Sequence, residues 1–377
     1  MRVLIAPNAF KNSLDAETTA SAIKEGLELS ALDCTCECFP IGDGGDGTGE
    51  LIIRRRLGSF VDGRVHDPLG REIVASYGLI DAGKTAIIEM ANGSGLRLLS
   101  VSELNPLRAL SIGTGEQMLA ALDKGVSTIV IGMGGSATVD GGVGILKALG
   151  CRFLDATGGE LVNLPEDLVR LSSVDVSGLD PRVLSAEVVV LCDVDNFLLG
   201  PQGAAAMFGP QKGASPAGVL QLDAGLARLA EVAFKQTGKD IAGVTYGGTA
   251  GGASAGLYGF LDARLVNGID YFLELTGFED ALAVADVVIT GEGSIDEQTL
   301  QGKGPFGVAV KAKAHGLPVI AVAGKVPLVK DMGLQEYFDV LLAIGNGPAD
   351  LPTALKVARE NMVRTAWEVG NMLALKR

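Results

Sequence analysis

Two stretches of this chain place a serine and carboxylates in a glycine turn directly after an apolar strand. The first is TIVIGMGGSATVDGG, Thr128 to Gly142, and the second is DVVITGEGSIDEQT, Asp286 to Thr299. A third loop, GDGGDGTGE from Gly42 to Glu50, carries two aspartates and no serine. Glycines after a strand let the backbone approach a ligand, and the N–H groups at the next helix start favour anions. Aspartates beside an anion site need a reason, because like charges repel. A divalent cation, or a proton to be removed, supplies one. Phosphate, metal and carboxylate together describe phosphoryl transfer.

Each candidate residue has a plainer reading beside it. The amides of Gly134, Gly135 and Ser136 could hold phosphate, with Asp140 near a metal. The plain reading is a tight strand–helix turn with Asp140 as a helix cap. The spacing G-x-G-x-x-G is not met, since Gly132 and Gly134 are followed by Ala137, so this is not a dinucleotide fingerprint. In GEGSIDEQTLQGKG, Glu292 and Asp296 are candidate metal ligands or a base, and Lys303 could neutralise transferred phosphate. Lys303 lacks the surroundings of a P-loop lysine. Asp43 and Asp46 could act near phosphate, or form an ordinary aspartate–glycine turn. Asp193 ends the buried run VVVLC, whereas Asp195 points to the other side of an extended chain. Lys11 and Lys212 each follow a strand and precede a helix start, where either could also be merely solvated. Arg71 in the DPLGR turn could clamp a carboxylate in two-pronged fashion, or sit on the surface.

The elements that must position these groups alternate as strand and helix. Strands are expected at Val3 to Pro7, Cys34 to Pro40, Lys84 to Ala91, Thr128 to Met133, Glu187 to Val194, Asp286 to Thr290, Pro318 to Ala323 and Val340 to Ile344. Helices are expected at Leu14 to Leu29, Thr48 to Arg56, Glu116 to Lys124, Val143 to Leu149 and Val219 to Gln236, and from Pro352 to about Leu373. The stretch Tyr246 to Gly259 is very rich in glycine. The two chain ends read as regular α/β units and the middle differs in texture. The expected fold is α/β, with two α/β domains. One is Rossmann-like and joins residues 1–61 to 287–377; the other, 62–286, is inserted. The active-site cleft is expected between them.

Composition bounds the function. A chain of 377 residues exceeds what one core usually organises. Its net charge of −14 argues against nucleic acid, which needs basic surface. No run approaches the ~20 apolar residues of a spanning helix, and the first apolar run is too short for a signal peptide, so a cytoplasmic protein is expected. Five cysteines, an odd number, fit a reducing compartment. Cys34, Cys36 and Cys38 alternate; on a strand their Cα atoms are roughly 6.6 Å apart, which disfavours tetrahedral zinc. Only two histidines occur, His66 and His315, and neither sits in a readable motif. A Ser–His–Asp hydrolase is therefore not expected, and a catalytic base is expected to be a carboxylate.

Taken together, the segments IAPNAFKNSL, GDGGDGT, DPLGR, IEMANGSGL, SIGTGE, IGMGGSATVDGG, CDVDN, FGPQKGA, ITGEGSIDEQTLQGK and PVIAVAG resemble the bacterial glycerate kinase family, of the glycerate 2-kinase type. They occur in family order from residue 5 to residue 324. The chain departs from the family pattern at Asn8, where an aspartate is common, at Ser294, where an arginine is usual, and in YGGTAGGASAG. The resemblance implies ATP-dependent phosphorylation of D-glycerate with Mg²⁺, and 2-phospho-D-glycerate as product. Nothing in the residues themselves fixes C2 over C3.

On that basis Asp43 is expected as base, with Lys11, Asp193, Asp296 and Lys303 in the chemistry. Gly134, Gly135, Ser136, Asp140, Gly291, Gly293 and Lys212 are expected to bind ATP. Arg71, Ser13 and Asp46 are expected to bind D-glycerate, and Asp193, Glu292 and Asp296 to hold Mg²⁺. No nucleic acid or membrane partner is expected, and a monomer or homodimer is expected. A kinase making 3-phosphoglycerate, or acting on another small hydroxy acid, is the nearest alternative. A nicotinamide oxidoreductase lacks its fingerprint, and a non-enzymatic acid-binding protein needs fewer strand-end charges.

Overall fold

The computed structural model describes residues 1–328 and 333–375. The chain forms two compact units, Met1–Asp43 with Ile269–Arg377, and Gly44–Gly268.

The first unit is built on a fully parallel five-stranded sheet. Its order is Val340–Ala343, Val319–Lys325, Val287–Ser294, Arg2–Pro7, Thr35–Cys38. Continuous apolar runs such as Val3–Ala6 and Val287–Ile289 suit strands covered on both faces. The helices Ala16–Leu29 and Ala358–Ala374 pack together on this sheet's core, burying Ile23, Leu27, Met362 and Val369. Asp15 caps the first of them by accepting from the Thr18 amide. In chain order within the unit the strands run 2-1-3-4-5, with the reversal between Arg2–Pro7 and Val287–Ser294. Open α/β sheets bind ligands beyond the carboxyl ends of strands at such a reversal.

The second unit carries a mixed six-stranded sheet in the order Arg264–Asn267, Glu187–Cys192, Thr128–Gly132, Thr85–Glu89, Glu72–Ile80, Ser59–His66. The first four strands are parallel and the last two are antiparallel additions. Glu89, the turn after Gly132, and Asp193 therefore share one edge of the sheet. The helix Pro216–Thr237 starts as its sequence demands: Ser215 accepts from the Gly218 amide and Pro216 takes the first position.

The seams differ from the sequence reading of 61/62 and 286/287. The helix Thr48–Arg55 is tied to the second sheet, where the Gly49 amide donates to Glu89 Oε1 at 2.9 Å. At the other seam Phe278 sets its ring edge-on to Phe39, centroids 5.0 Å apart, within the first unit. The glycine-rich stretch is helical from Thr249 to Leu261, with left-handed Ala250, Gly251 and Gly252 in its first turn. The last expected helix is broken into Leu351–Lys356 and Ala358–Ala374. Among the described residues no helix is long and apolar enough to cross a membrane.

Candidate active site

In the first unit, five side chains gather at the sheet reversal. Asn8 follows Arg2–Pro7, Asp43 follows Thr35–Cys38, and Glu292 lies within the end of Val287–Ser294. The Ala9 amide donates to Asn8 Oδ1 at 2.8 Å, which turns the Asn8 Nδ2 group toward Asp43 Oδ2, also at 2.8 Å. Glu292 is buried and accepts from Thr299 Oγ1 at 2.9 Å. Burial pushes its carboxyl up to about 7; Asp43 and Asp296 add to the rise, while the Lys303 cation and the Thr299 bond oppose it. Asp296 caps the short turn Glu297–Gln301, accepting from the Gln298 amide at 3.0 Å and from Ser294 Oγ at 3.4 Å. Lys303 stands at the N-terminus of the helix Gly304–Ala314, an end that itself favours anions. Lys11 is exposed in the loop between Phe10 and Leu14, and Gly293 lies beside that loop's backbone.

Two of the expected residues here do other work. Ser13 Oγ donates to the Leu355 carbonyl at 2.8 Å, so it fastens the loop to the C-terminal region in place of the expected substrate contact. Gly291 accepts the Asn8 amide at 2.8 Å, and a side chain there would strike Val322. That makes it a packing glycine inside the sheet, not a phosphate cradle.

In the second unit the loop Met133–Val139 meets the loop Gly44–Asp46. The Gly134 amide donates to the Gly44 carbonyl at 3.0 Å, so it is not available to phosphate as expected. Gly135, exposed and left-handed at φ +71°, and Ser136 direct their amides at no described residue. Asp140 is fully buried. Its carboxylate accepts from Ser111 N and Oγ, Gly142 N and Gly144 N, at 2.7–3.1 Å. Four donors fill it, so Asp140 locks the SIGTGE and VDGG segments together and is not placed to hold a metal. Lys212 is buried, and Asp193 and Asp140 act electrostatically on it.

Arg71 has all prongs of its fork engaged: Asp67 Oδ2 at 2.5 Å, Glu103 Oε1 at 2.6 Å and the Leu98 carbonyl at 3.3 Å. It braces the DPLGR turn, in contrast to the expected carboxylate clamp. Asp46 is exposed, with Arg97 Nη1 3.5 Å from it. Glu89 was not singled out from the sequence. It is buried, burial pushes it up to about 7 against the Gly49 and Gly47 amides, and it lines a cavity of about 370 Å³ with Asp46, Asn92 and Arg97. A carboxylate ending the apolar strand TAIIE was the available signal. Both histidines pair with surface glutamates, His66 with Glu116 and His315 with Glu279. Cys34 and Cys36 bring their sulfurs to 3.7 Å, closer than strand spacing alone suggests, and all five cysteines are free thiols.

The profile of the Glycerate kinase family matches residues 3–374. A glycerate kinase of Bacillus subtilis strain 168 is 42% identical over all of this chain and 99% of its own length. A glycerate 2-kinase of Escherichia coli K12 is 41% identical over all of this chain and 98% of its own. A crystal structure from Salmonella typhimurium LT2, assigned to glycerate kinase 2, superimposes with TM-score 0.84 at 41% identity. It covers 100% of this chain and 99% of that one. The chain belongs to the glycerate kinase family. It is a kinase, and its fold is the family's α/β fold.

Within the glycerate kinase pattern the three departures acquire structural meaning. The Asn8 side-chain amide donates to Asp43. Ser294 Oγ donates to the capping carboxylate of Asp296. The altered glycine stretch lies in a buried helix, where the Gly251 carbonyl accepts the Gly141 amide at 3.0 Å.

Proposed function

We propose that this protein transfers the γ-phosphoryl group of ATP to the 2-hydroxyl of D-glycerate, giving 2-phospho-D-glycerate and ADP. The observation that carries this reading is the gathering of Asn8, Asp43, Glu292, Asp296 and Lys303 at the sheet reversal of the first unit. Asp43, oriented by Asn8, accepts the hydroxyl proton. Lys11 and Lys303 neutralise charge on the transferred group, which is the main task of a kinase site. The Gly135 and Ser136 amides of the second unit hold nucleotide phosphate.

Mg²⁺ fits the chemistry of the donors. Glu292 is buried with two further carboxylates acting on it, a repulsion that a divalent cation would relieve. Among the described residues no three His, Cys, Asp or Glu side chains form a ready ligand set. Mg²⁺ needs only one or two carboxylates, with substrate phosphates and water completing its shell. Glu292 and Asp296 would hold it. Bound there, the ion would offset charge on the phosphate oxygens. Free thiols at all five cysteines agree with a cytoplasmic location.

The test is ADP release with ATP, Mg²⁺ and D-glycerate, with the product read by phosphorus NMR. A phosphomonoester on C2 supports the full reading. A C3 ester keeps the kinase and overturns the product. No glycerate-dependent ADP overturns the substrate.

A further inference from the structure

Lys212 closes the turn Pro210–Lys212 and is 3% exposed. A buried ammonium must direct its protons at acceptors, and it can accept nothing itself. Lys212 Nζ donates to Ser136 Oγ at 2.8 Å and to the Thr138 carbonyl at 2.8 Å. In the first of these bonds the serine oxygen is therefore the acceptor. Its single hydroxyl proton must point elsewhere. Asp140, the nearby carboxylate, is already filled by four donors. The other hydroxyl of the loop, Thr138 Oγ1, is buried and makes no hydrogen bond with the described residues, so nothing on the loop stands in for the lysine.

We propose that Lys212 is a positioning residue that makes the Ser136 hydroxyl an obligate donor toward an anionic phosphate oxygen of the nucleotide, without touching the nucleotide itself. The inference rests on the phosphoryl-transfer reading above, and it replaces direct ATP contact by Lys212. Burial pushes the ammonium down to about 7 and Asp140 and Asp193 oppose that fall, so the charged form, which cannot accept, prevails below pH 7, where the titration is run. The alternative is that Lys212 only braces the loop.

Calorimetric titration of the full-length protein with ADP, which needs no turnover, decides between them. The variants are S136A, K212M and the double variant. Positioning through Ser136 predicts that S136A weakens ADP binding roughly tenfold, a typical loss for one hydrogen bond to a charged group. K212M should do nearly the same, and the double variant should be no weaker than S136A, because the lysine acts only through that hydroxyl. Additive losses, or unchanged affinity in a folded S136A, overturn the proposal. Should K212M not fold, S136A is compared with S136T, which keeps the hydroxyl. Rescue by S136T supports the proposal and equal loss in both overturns it. Absence of glycerate turnover would strike the function reading alone, since ADP binding is measured without glycerate.

Discussion

The Asn8 side-chain amide donates to Asp43 Oδ2 at 2.8 Å, with its own oxygen held by the Ala9 amide. The bond fixes the position of one oxygen of Asp43, the residue proposed above as the base. Asn8→Ala should lower kcat about tenfold, the order of one charge-assisted hydrogen bond, with little change in melting temperature. Asn8→Asp should instead move the acid limb of the pH–rate profile upward, because two carboxylates at that distance share a proton. Steady-state kinetics from pH 5 to 9 reads both.

Glu292 should impose a pH dependence on stability. Its folded value of about 7 lies above its ordinary 4.5. The fold therefore prefers the protonated form. That preference is fully present below pH 4.5 and is lost as pH rises through 7. In metal-free buffer Glu292→Gln should melt higher than the unaltered protein at pH 8, by on the order of 1–3 kcal/mol, and equally at pH 4. Its turnover should be low at every pH. Thermal melts at the two pH values check the sign.

Lys303→Ala should cut kcat about 100-fold or more, as loss of a charge-stabilising donor does. Melting should shift by only a few degrees, since the side chain is partly solvated. Unchanged turnover would remove Lys303 from the site.

Arg71→Ala should behave in the opposite way. It leaves Asp67, whose side chain is 1% exposed, without its cation. A loss of about 1–3 kcal/mol in urea unfolding is expected, with KM for D-glycerate within about twofold. A large rise in KM at constant stability would restore Arg71 to the substrate site.

Gly134→Ala should distort the meeting of two loops. A methyl group there runs into the Gly45 and Asp46 backbone, which cannot swing aside like a side chain. Destabilisation of about 1–3 kcal/mol is expected, together with weaker ADP binding.

Much of this was legible in the sequence because it is local. Apolar runs mark the strands, and glycine turns after Ile131 and Ile289 mark the strand ends that carry charge. What was not legible depends on partners distant in the chain. Nothing near Asp140 announces that Ser111 fills its carboxylate, and nothing near Ser13 announces Leu355. Arg71 looked exposed and free, yet Glu103 holds it from 32 positions away. Asn8 read as a lost carboxylate until Asp43 was seen beside it. The chain seams were misplaced for a related reason. Helix Thr48–Arg55 looks like its Rossmann-like predecessor, and contacts distant in the chain, such as that of Gly49 with Glu89, show which sheet it serves.

The pairing of helix Ala16–Leu29 with Ala358–Ala374 has a consequence for biosynthesis. A ribosome makes the first of these helices more than 300 residues before its partner. Until the last segment emerges, the side of that helix around Gly26 and Leu27, which packs on Ala366 and Gly370, lacks its native cover. The inserted unit Gly44–Gly268 is complete long before then and can fold as the chain lengthens. The enzyme is thus assembled from the middle outward, and a nascent chain stalled before residue 358 would present an apolar helix to chaperones.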